Sequence, residues 1–271
     1  MKKHYKTIVL SDLHLGIKNS RVKEVVEFLK SHTCDTLLLN GDIIDGWQLK
    51  KSGSWKSKHT KFFKLIMKWI AKNDTKVIYL RGNHDDFLDE ILPFSLGNFS
   101  IKRHHIHHSG KNRYYVVHGD IFDTVTTKLK WLAKLGDIGY TFLLWLNRHY
   151  NNYRVKKGLP YYSLSQVVKQ KVKQAVSFIS DFEEQLAEVA KANHCQGVIC
   201  GHIHQPANKM IGNIHYLNSG DWVETMSALV EDEHNEWHII HFADWEITQT
   251  AKAADESVMA AGPAGWLLQP A

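Results

Sequence analysis

An α/β fold built on two β-sheets is the architecture this sequence predicts, and three observations carry it. Between residues 6 and 123, apolar runs of strand length alternate with stretches of helical periodicity, the pattern of βαβ units. From Phe99 onward most apolar runs are short and strand-like, which points to a second, more antiparallel sheet. A helical insertion at about residues 124–193 interrupts these strands and is far longer than an ordinary connection.

Thr7-Ile8-Val9-Leu10 reads as a buried strand that stops at Ser11-Asp12. Arg21 to Ser31 follows, with Val22, Val25, Val26 and Leu29 at helical spacing. Thr36 to Leu39 forms the next strand, ending at Asn40-Gly41-Asp42. Lys61 to Ala71, carrying Phe62, Leu65, Ile66 and Trp69, is a second helix. Lys76 to Leu80 then runs into Arg81-Gly82-Asn83-His84-Asp85. Phe99 to His108 and Arg113 to Val117 are β-like, joined by a hairpin turn at Ser109-Gly110-Lys111-Asn112. Gly197 to Cys200, Ile214 to Leu217, Met226 to Glu231 and Glu236 to Phe242 are the later strands.

Within the insertion, Ser163-Leu164-Ser165-Gln166 has the form of a capping box. It opens a stretch with Val167, Val168, Val172, Val176, Ile179, Phe182, Leu186 and Val189 on one face, while Phe142 to Leu146 is apolar all round. The insertion is read as a cap within one domain at residues 1–250. Residues 251–271, rich in Ala, Gly and Pro, read as a flexible tail.

The 271 residues are 44% hydrophobic and 23% charged, ordinary for a globular domain with an insertion. A formal charge of +6 suits an anionic partner, without saying which. Three cysteines with no Cys-x-x-Cys pair argue against a disulfide framework and suit a reducing compartment. Thr7 to Leu10 is too short for a signal-peptide apolar region, and no run approaches a membrane span. A cytoplasmic location is expected, with peripheral contact at the inner membrane left open.

Five segments set metal-binding residue types directly after an apolar strand. They are Asp12-Leu13-His14, Gly41-Asp42, Gly82-Asn83-His84-Asp85, His118-Gly119-Asp120 and Gly201-His202-Ile203-His204. Any one alone reads as a turn; the series at successive strand ends does not. Asp, His and Asn without thiolate suit Mn²⁺, Fe or Zn²⁺ at a reactive centre better than a structural zinc. Loops beyond the carboxyl ends of sheet strands are where open α/β proteins build their sites.

In this order the five segments resemble the signature of the calcineurin-like metallophosphoesterases, over roughly residues 6–245. The resemblance implies a four-layer αββα sandwich of two mixed sheets flanked by helices, and two divalent metal ions, with Mn²⁺ favoured. Asp12, His14, Asp42 and His204 would hold one ion. Asp42, Asn83, His118 and His202 would hold the other, with Asp42 bridging. His84 would stabilise the phosphoryl oxygens or protonate the leaving group, and Asp85 would orient it. Two ions about 3.5–4 Å apart can clamp an in-line displacement, so direct attack on phosphorus by a metal-held hydroxide is expected, with no covalent intermediate.

Asn218-Ser219-Gly220-Asp221-Trp222-Val223-Glu224, with the insertion, is similar to the UDP-2,3-diacylglucosamine pyrophosphohydrolases of lipid A synthesis. That likeness implies a lipid nucleotide cleaved to a lipid monosaccharide phosphate and UMP. Arg148, Arg154, Lys156 and Lys157 would then meet phosphates or anionic headgroups. His84 departs from the arginine those enzymes carry there. The alternatives are a phosphodiesterase or phosphatase on nucleotides or other soluble phosphoesters, and a non-catalytic membrane- or protein-binding scaffold. No nucleic-acid module is recognisable. Among tempting residues, the histidines of His104 to His108 alternate between strand faces and cannot all converge. Asp45 is expected to brace its loop. Asp120 and Asp123 are expected to support His118, and Cys200 to be a buried small residue.

Overall fold

The computed structural model of the chain describes residues 2–51, 53–122, 149–150, 153–154, 156–158 and 164–249. Strand β1 (Lys3–Leu10) leads through helix α1 (Val22–Ser31) to β2 (His32–Asn40). Helices α2 (Gly46–Lys51) and α3 (Ser57–Asn73) precede β3 (Lys76–Leu80). Four strands follow: β4 (Phe94–Leu96), β5 (Phe99–Lys102), β6 (His104–Ser109) and β7 (Asn112–Val117). Helix α4 (Leu164–Ala192) leads into β8 (Gly197–Cys200) and β9 (Ala207–Ile211). The last strands are β10 (Ile214–Asn218), β11 (Ser227–Glu231) and β12 (Trp237–His241).

Both sheets are mixed. The first has the order β12-β11-β1-β2-β3-β5-β4, and the second β6-β7-β8-β10-β9. In the first, β1, β2, β3 and β5 are parallel, while β11 joins β1 antiparallel. In the second, β7, β8 and β10 form a parallel centre with antiparallel edges.

Two expectations are corrected here. The β-like run from Phe99 to His108 is two strands in different sheets. The chain crosses at Arg103, so β5 pairs with β3 while β6 forms the hairpin with β7. The second sheet is also not the home of all the late strands, because β11 and β12 extend the first sheet at β1. Apolar alternation marks a strand but does not say which edge it will take.

Side-chain alternation builds the layers. Ile8, Leu10, Leu37, Leu39, Val77 and Tyr79 pack with Val25, Phe28 and Leu29 of α1 and Phe62, Ile66 and Trp69 of α3. The intervening Val9, Leu38 and Ile78 face Val116, Ile199 and Leu217 of the second sheet. The far side of that sheet, with Val117, Val198, Cys200 and Tyr216, packs on Phe178, Phe182, Leu186 and Ala190 of α4. The result is the four-layer sandwich of helices, sheet, sheet and helix. The C-terminal half of α4 is thus the outer layer over the second sheet. Ser163 and the Phe142–Leu146 run lie outside the described residues.

Candidate dinuclear metal centre

The carboxyl ends of β1, β2, β3, β7 and β8 meet along one edge of the sandwich, and their loops are stitched together. Asp12 N–H donates to the Gly41 carbonyl (3.1 Å), His14 N–H to the Asp42 carbonyl (2.9 Å) and Gly201 N–H to the His118 carbonyl (3.0 Å). Asn40 Nδ2 donates to the Val117 carbonyl across the two sheets. Asp12, His14, Asp42, His202 and His204 all adopt left-handed backbone, with φ between 45° and 69°. Non-glycine residues rarely do so, and such strain concentrates at functional sites. Glycines let the loops close: a Cβ at Gly82 would strike Asp42 Oδ1, and one at Gly201 would strike Asp12 Oδ2.

Candidate ligand atoms gather in two groups of expected ligands, Asp12–His14–His204 and Asp42–His118–His202, each within 4.8 Å, and a third, His14–Asp45–His84, adjoins the first. Asp42 Oδ2 lies between them, 3.8 Å from His14 Nε2 and 3.5 Å from His118 Nε2. Asp42 Oδ1 is turned away and accepts the His84 N–H at 2.8 Å. Asp12 divides its oxygens in the same way. Oδ2 takes the His202 N–H at 3.0 Å, while Oδ1 lies 3.3 Å from His204 Nε2. Each described imidazole contact on the outer side leaves Nε2 facing inward. His118 Nδ1 donates to the Asn40 carbonyl at 2.8 Å, His14 Nδ1 meets Asp45 at 3.2 Å, and His204 Nδ1 meets Asp221 at 3.1 Å. Such outer partners fix ring orientation in metal sites.

Metal ions fit this donor set. Asp12 and His118 are fully buried and Asp42 nearly so, yet Asp12 Oδ1, Asn83 Oδ1 and His118 Nε2 make no hydrogen bond. Leaving buried polar atoms unpaired is costly, and a cation at each group would satisfy them. Electrostatics agree. Against the upward push of burial, His118, His204 and His14 hold the Asp12 carboxyl well below its usual range. Asp42, opposed by burial in the same way, is held at about 2, chiefly by His118. Burial works against a proton on His118 and His204, but the carboxylates prevail and raise both to about 10.

The structure therefore brings together Asp12, His14, Asp42, His118, His202 and His204, with His84 at the rim and Asn83, its Oδ1 buried, in the turn between Gly82 and His84. Asp85 differs from its expected position. Its buried carboxylate accepts Ile43 N–H, Ile44 N–H and the Tyr79 hydroxyl, so it braces the Asp42 loop. Burial beside Asp42 pushes it up to about 7. The carboxylate against the His84 ring is Asp45, whose Oδ2 lies 3.2 Å from Nδ1. Asp45 is expected to brace its loop, whereas Asp221 is a supporting residue not singled out from sequence. It was present in the Asn218–Glu224 segment, which here is scaffold: Ser219 Oγ bonds Ser11 Oγ, and Trp222 N–H donates to the Asp12 carbonyl.

Other singled-out residues lie elsewhere. Arg148 and Asp123 are outside the described residues. Arg154 sits over the Tyr150 ring and Lys157 over Tyr153, with Lys156 exposed. Asp120 pairs with Arg81, tying the His118 loop to the Asn83 loop. His107 is buried against Glu231, whereas His104 and His108 are exposed. Burial pushes the Cys200 thiol far up, leaving it no nucleophile. A further ligand-type group, Asp232–Glu236–His238, is a turn in which Asp232 Oδ1 accepts the His234 and Glu236 N–H groups.

The family model for calcineurin-like phosphoesterases matches residues 5–206, and the chain belongs to that family. It is accordingly a metal-dependent hydrolase of phosphate esters, and the family together with the His/Asp groups points to a dinuclear divalent-metal site. No curated protein matches the chain. Among solved structures, it is similar to a phosphoesterase, Yfce, from E. coli, at 14% identity and TM-score 0.40, covering 87% of this chain and 98% of that one. A conserved protein from Streptococcus pneumoniae TIGR4, described as a predicted phosphoesterase, matches at 16% identity and TM-score 0.37, covering 88% and 90%. Vps29 from Entamoeba histolytica, complexed with zinc, matches at 11% identity and TM-score 0.43, covering 87% and 98%. At these scores the likenesses carry no functional argument. Among the described residues, no helix is long and apolar enough to cross a membrane.

Proposed function

We propose that this chain hydrolyses a phosphoester or phosphoanhydride at two divalent ions, with Mn²⁺ favoured over Fe and Zn²⁺. Asp12, His14 and His204 would hold one ion and Asn83, His118 and His202 the other, with Asp42 available to both. The observation that carries this reading is the place of Asp42 Oδ2 between two inward-facing imidazoles, beside buried polar atoms that make no hydrogen bond. The ions, when bound, polarise the phosphoryl oxygens and acidify water.

The protein's own part is orientation. Asp45, Asn40 and Asp221 hold their imidazoles by Nδ1 and direct Nε2 inward. His84, tied to Asp45 by Nδ1, keeps its Nε2 edge 3.9 Å from Asp42 Oδ2, where it can donate to a phosphoryl or leaving oxygen. Turnover of bis-p-nitrophenyl phosphate with Mn²⁺, abolished in Asp42→Ala, is the expected result. A protein that binds two ions and turns over no phosphoester would be the scaffold instead.

For the substrate we propose UDP-2,3-diacylglucosamine, cleaved to UMP and the lipid monosaccharide phosphate, at the cytoplasmic face of the inner membrane. The Asn218–Glu224 likeness supports it, as does the exposure of Phe87 and Ile91 on the turn that follows His84 and Asp85, an apolar rim suited to an amphipathic molecule. Purified lipid nucleotide should release UMP. If it does not while a soluble nucleotide is cleaved well, the substrate is a soluble phosphoester.

A further inference from the structure

Trp47, at the start of α2, is 45% exposed, yet it is firmly placed. Its indole N–H donates to Asp86 Oδ2 at 3.1 Å, and its ring lies 4.3 Å from the His84 imidazole at an interplanar angle of 35°. The backbone reinforces the contact. Gly46 N–H donates to the His84 carbonyl at 3.0 Å, and a Cβ at Gly46 would strike both that carbonyl and the Phe87 ring. On another side His84 meets the His14 ring edge-on at 4.7 Å, and its Nδ1 meets Asp45. The imidazole is therefore held by a ring face, a ring edge and a carboxylate.

We infer that Trp47 is a positioning residue: tethered by Asp86, it fixes the His84 ring so that Nε2 points toward Asp42. The inference rests on the role proposed above for His84. A contact at one ring nitrogen restrains the imidazole's terminal torsion but, because that torsion has a broad minimum, still leaves the ring some freedom to rock. A flat aromatic neighbour removes that freedom, and its own cost of ordering is small because Trp has two torsions. Displacing a reacting group by about 1 Å can cost on the order of 10²-fold in rate. The tether through Asp86 explains why an exposed indole keeps one geometry.

The test uses the Mn²⁺-loaded chain with bis-p-nitrophenyl phosphate. Trp47→Ala should lower kcat about tenfold or more with KM and bound metal unchanged, and Trp47→Phe, which keeps a ring face but loses the tether to Asp86, should recover only part of it. In a His84→Ala background, Trp47→Ala should have no further effect, which a merely structural role would not produce. Unchanged kcat, a rise in KM alone, or full additivity with His84→Ala would overturn the inference. A readout independent of turnover is the His84 Cε1–H resonance in Zn²⁺-loaded protein. It should be single in the unsubstituted chain and broadened or split in Trp47→Ala; no change would also overturn the inference. Absence of turnover in the unsubstituted chain would instead count against the hydrolase reading, leaving the resonance to decide the placement of the ring.

Discussion

Asp45 Oδ2 lies 3.2 Å from His84 Nδ1, and the same oxygen lies 3.2 Å from His14 Nδ1. One carboxylate thus orients an imidazole proposed to bind metal and another proposed to act on substrate. Burial opposes its charge, but the two histidines and the Gln48 N–H keep the Asp45 carboxyl well below its usual range. Asp45→Ala should therefore damage both functions together. Metal affinity is expected to fall about 10- to 100-fold, as for other partners of metal-bound histidine. With metal restored by excess, kcat should remain depressed. Competition titration against a chelator reads the first effect, and turnover at saturating Mn²⁺ reads the second.

Metal binding should release protons at neutral pH. His118 and His204, both raised to about 10, hold protons in the metal-free chain at pH 7 and must lose them to bind. Affinity should then rise with pH, and the binding enthalpy should change with the ionisation enthalpy of the buffer. Stability follows the same linkage. A histidine with a raised folded pKa contributes fully below its unfolded value of about 6.5 and loses that contribution as pH rises toward 10. The metal-free protein should soften on that alkaline limb, and the loaded protein should not. Thermal melts from pH 6 to 10 with and without Mn²⁺ check the sign.

The proposed ligands were legible because each stands at the end of an apolar strand, so the strand itself announces where the side chain will be delivered. Their supporting residues were harder to see. Asp45 and Asp221 lie inside loops, where a carboxylate is as often a turn residue, and only the folded distances to His14, His84 and His204 separate the two cases. Asp85 looked like a partner of His84 by adjacency, but the sharp turn after Gly82 sends its carboxylate to Ile43 and Ile44. Strand β4 is exposed at every position and β9 has an exposed middle, so neither carries the apolar run by which strands are recognised. The split of β5 from β6 was hidden because both halves look equally β-like on either side of Arg103.

Asp85→Ala should cost stability rather than chemistry alone. The substitution strands two backbone N–H groups, of Ile43 and Ile44, and the Tyr79 hydroxyl in a buried setting. Each unsatisfied buried donor costs about 1–3 kcal/mol. Denaturant melts of the metal-free protein should show a loss of a few kcal/mol. Asp85→Asn, which keeps one acceptor, should lose less. Equal melting of both variants and the unsubstituted chain would remove Asp85 from the scaffold.

Gly82→Ala offers the sharpest separation of site from fold. A Cβ there would strike Asp42 Oδ1 and lie 2.6 Å from the Asp42 backbone nitrogen, with His118 Cδ2 at 2.9 Å. The shared carboxylate would have to shift, and with it the Oδ2 that faces both imidazole groups. Gly212, in contrast, has φ of +55° and open space around its Cβ position. Gly212→Ala should cost about 1 kcal/mol through backbone strain and leave metal binding alone. Gly82→Ala should reduce the bound metal below two ions per chain and abolish most turnover, while far-ultraviolet circular dichroism stays that of the folded protein. Metal content by elemental analysis decides the comparison. Two retained ions in Gly82→Ala would mean that Asp42 is not wedged against this turn and that the centre tolerates a displaced carboxylate.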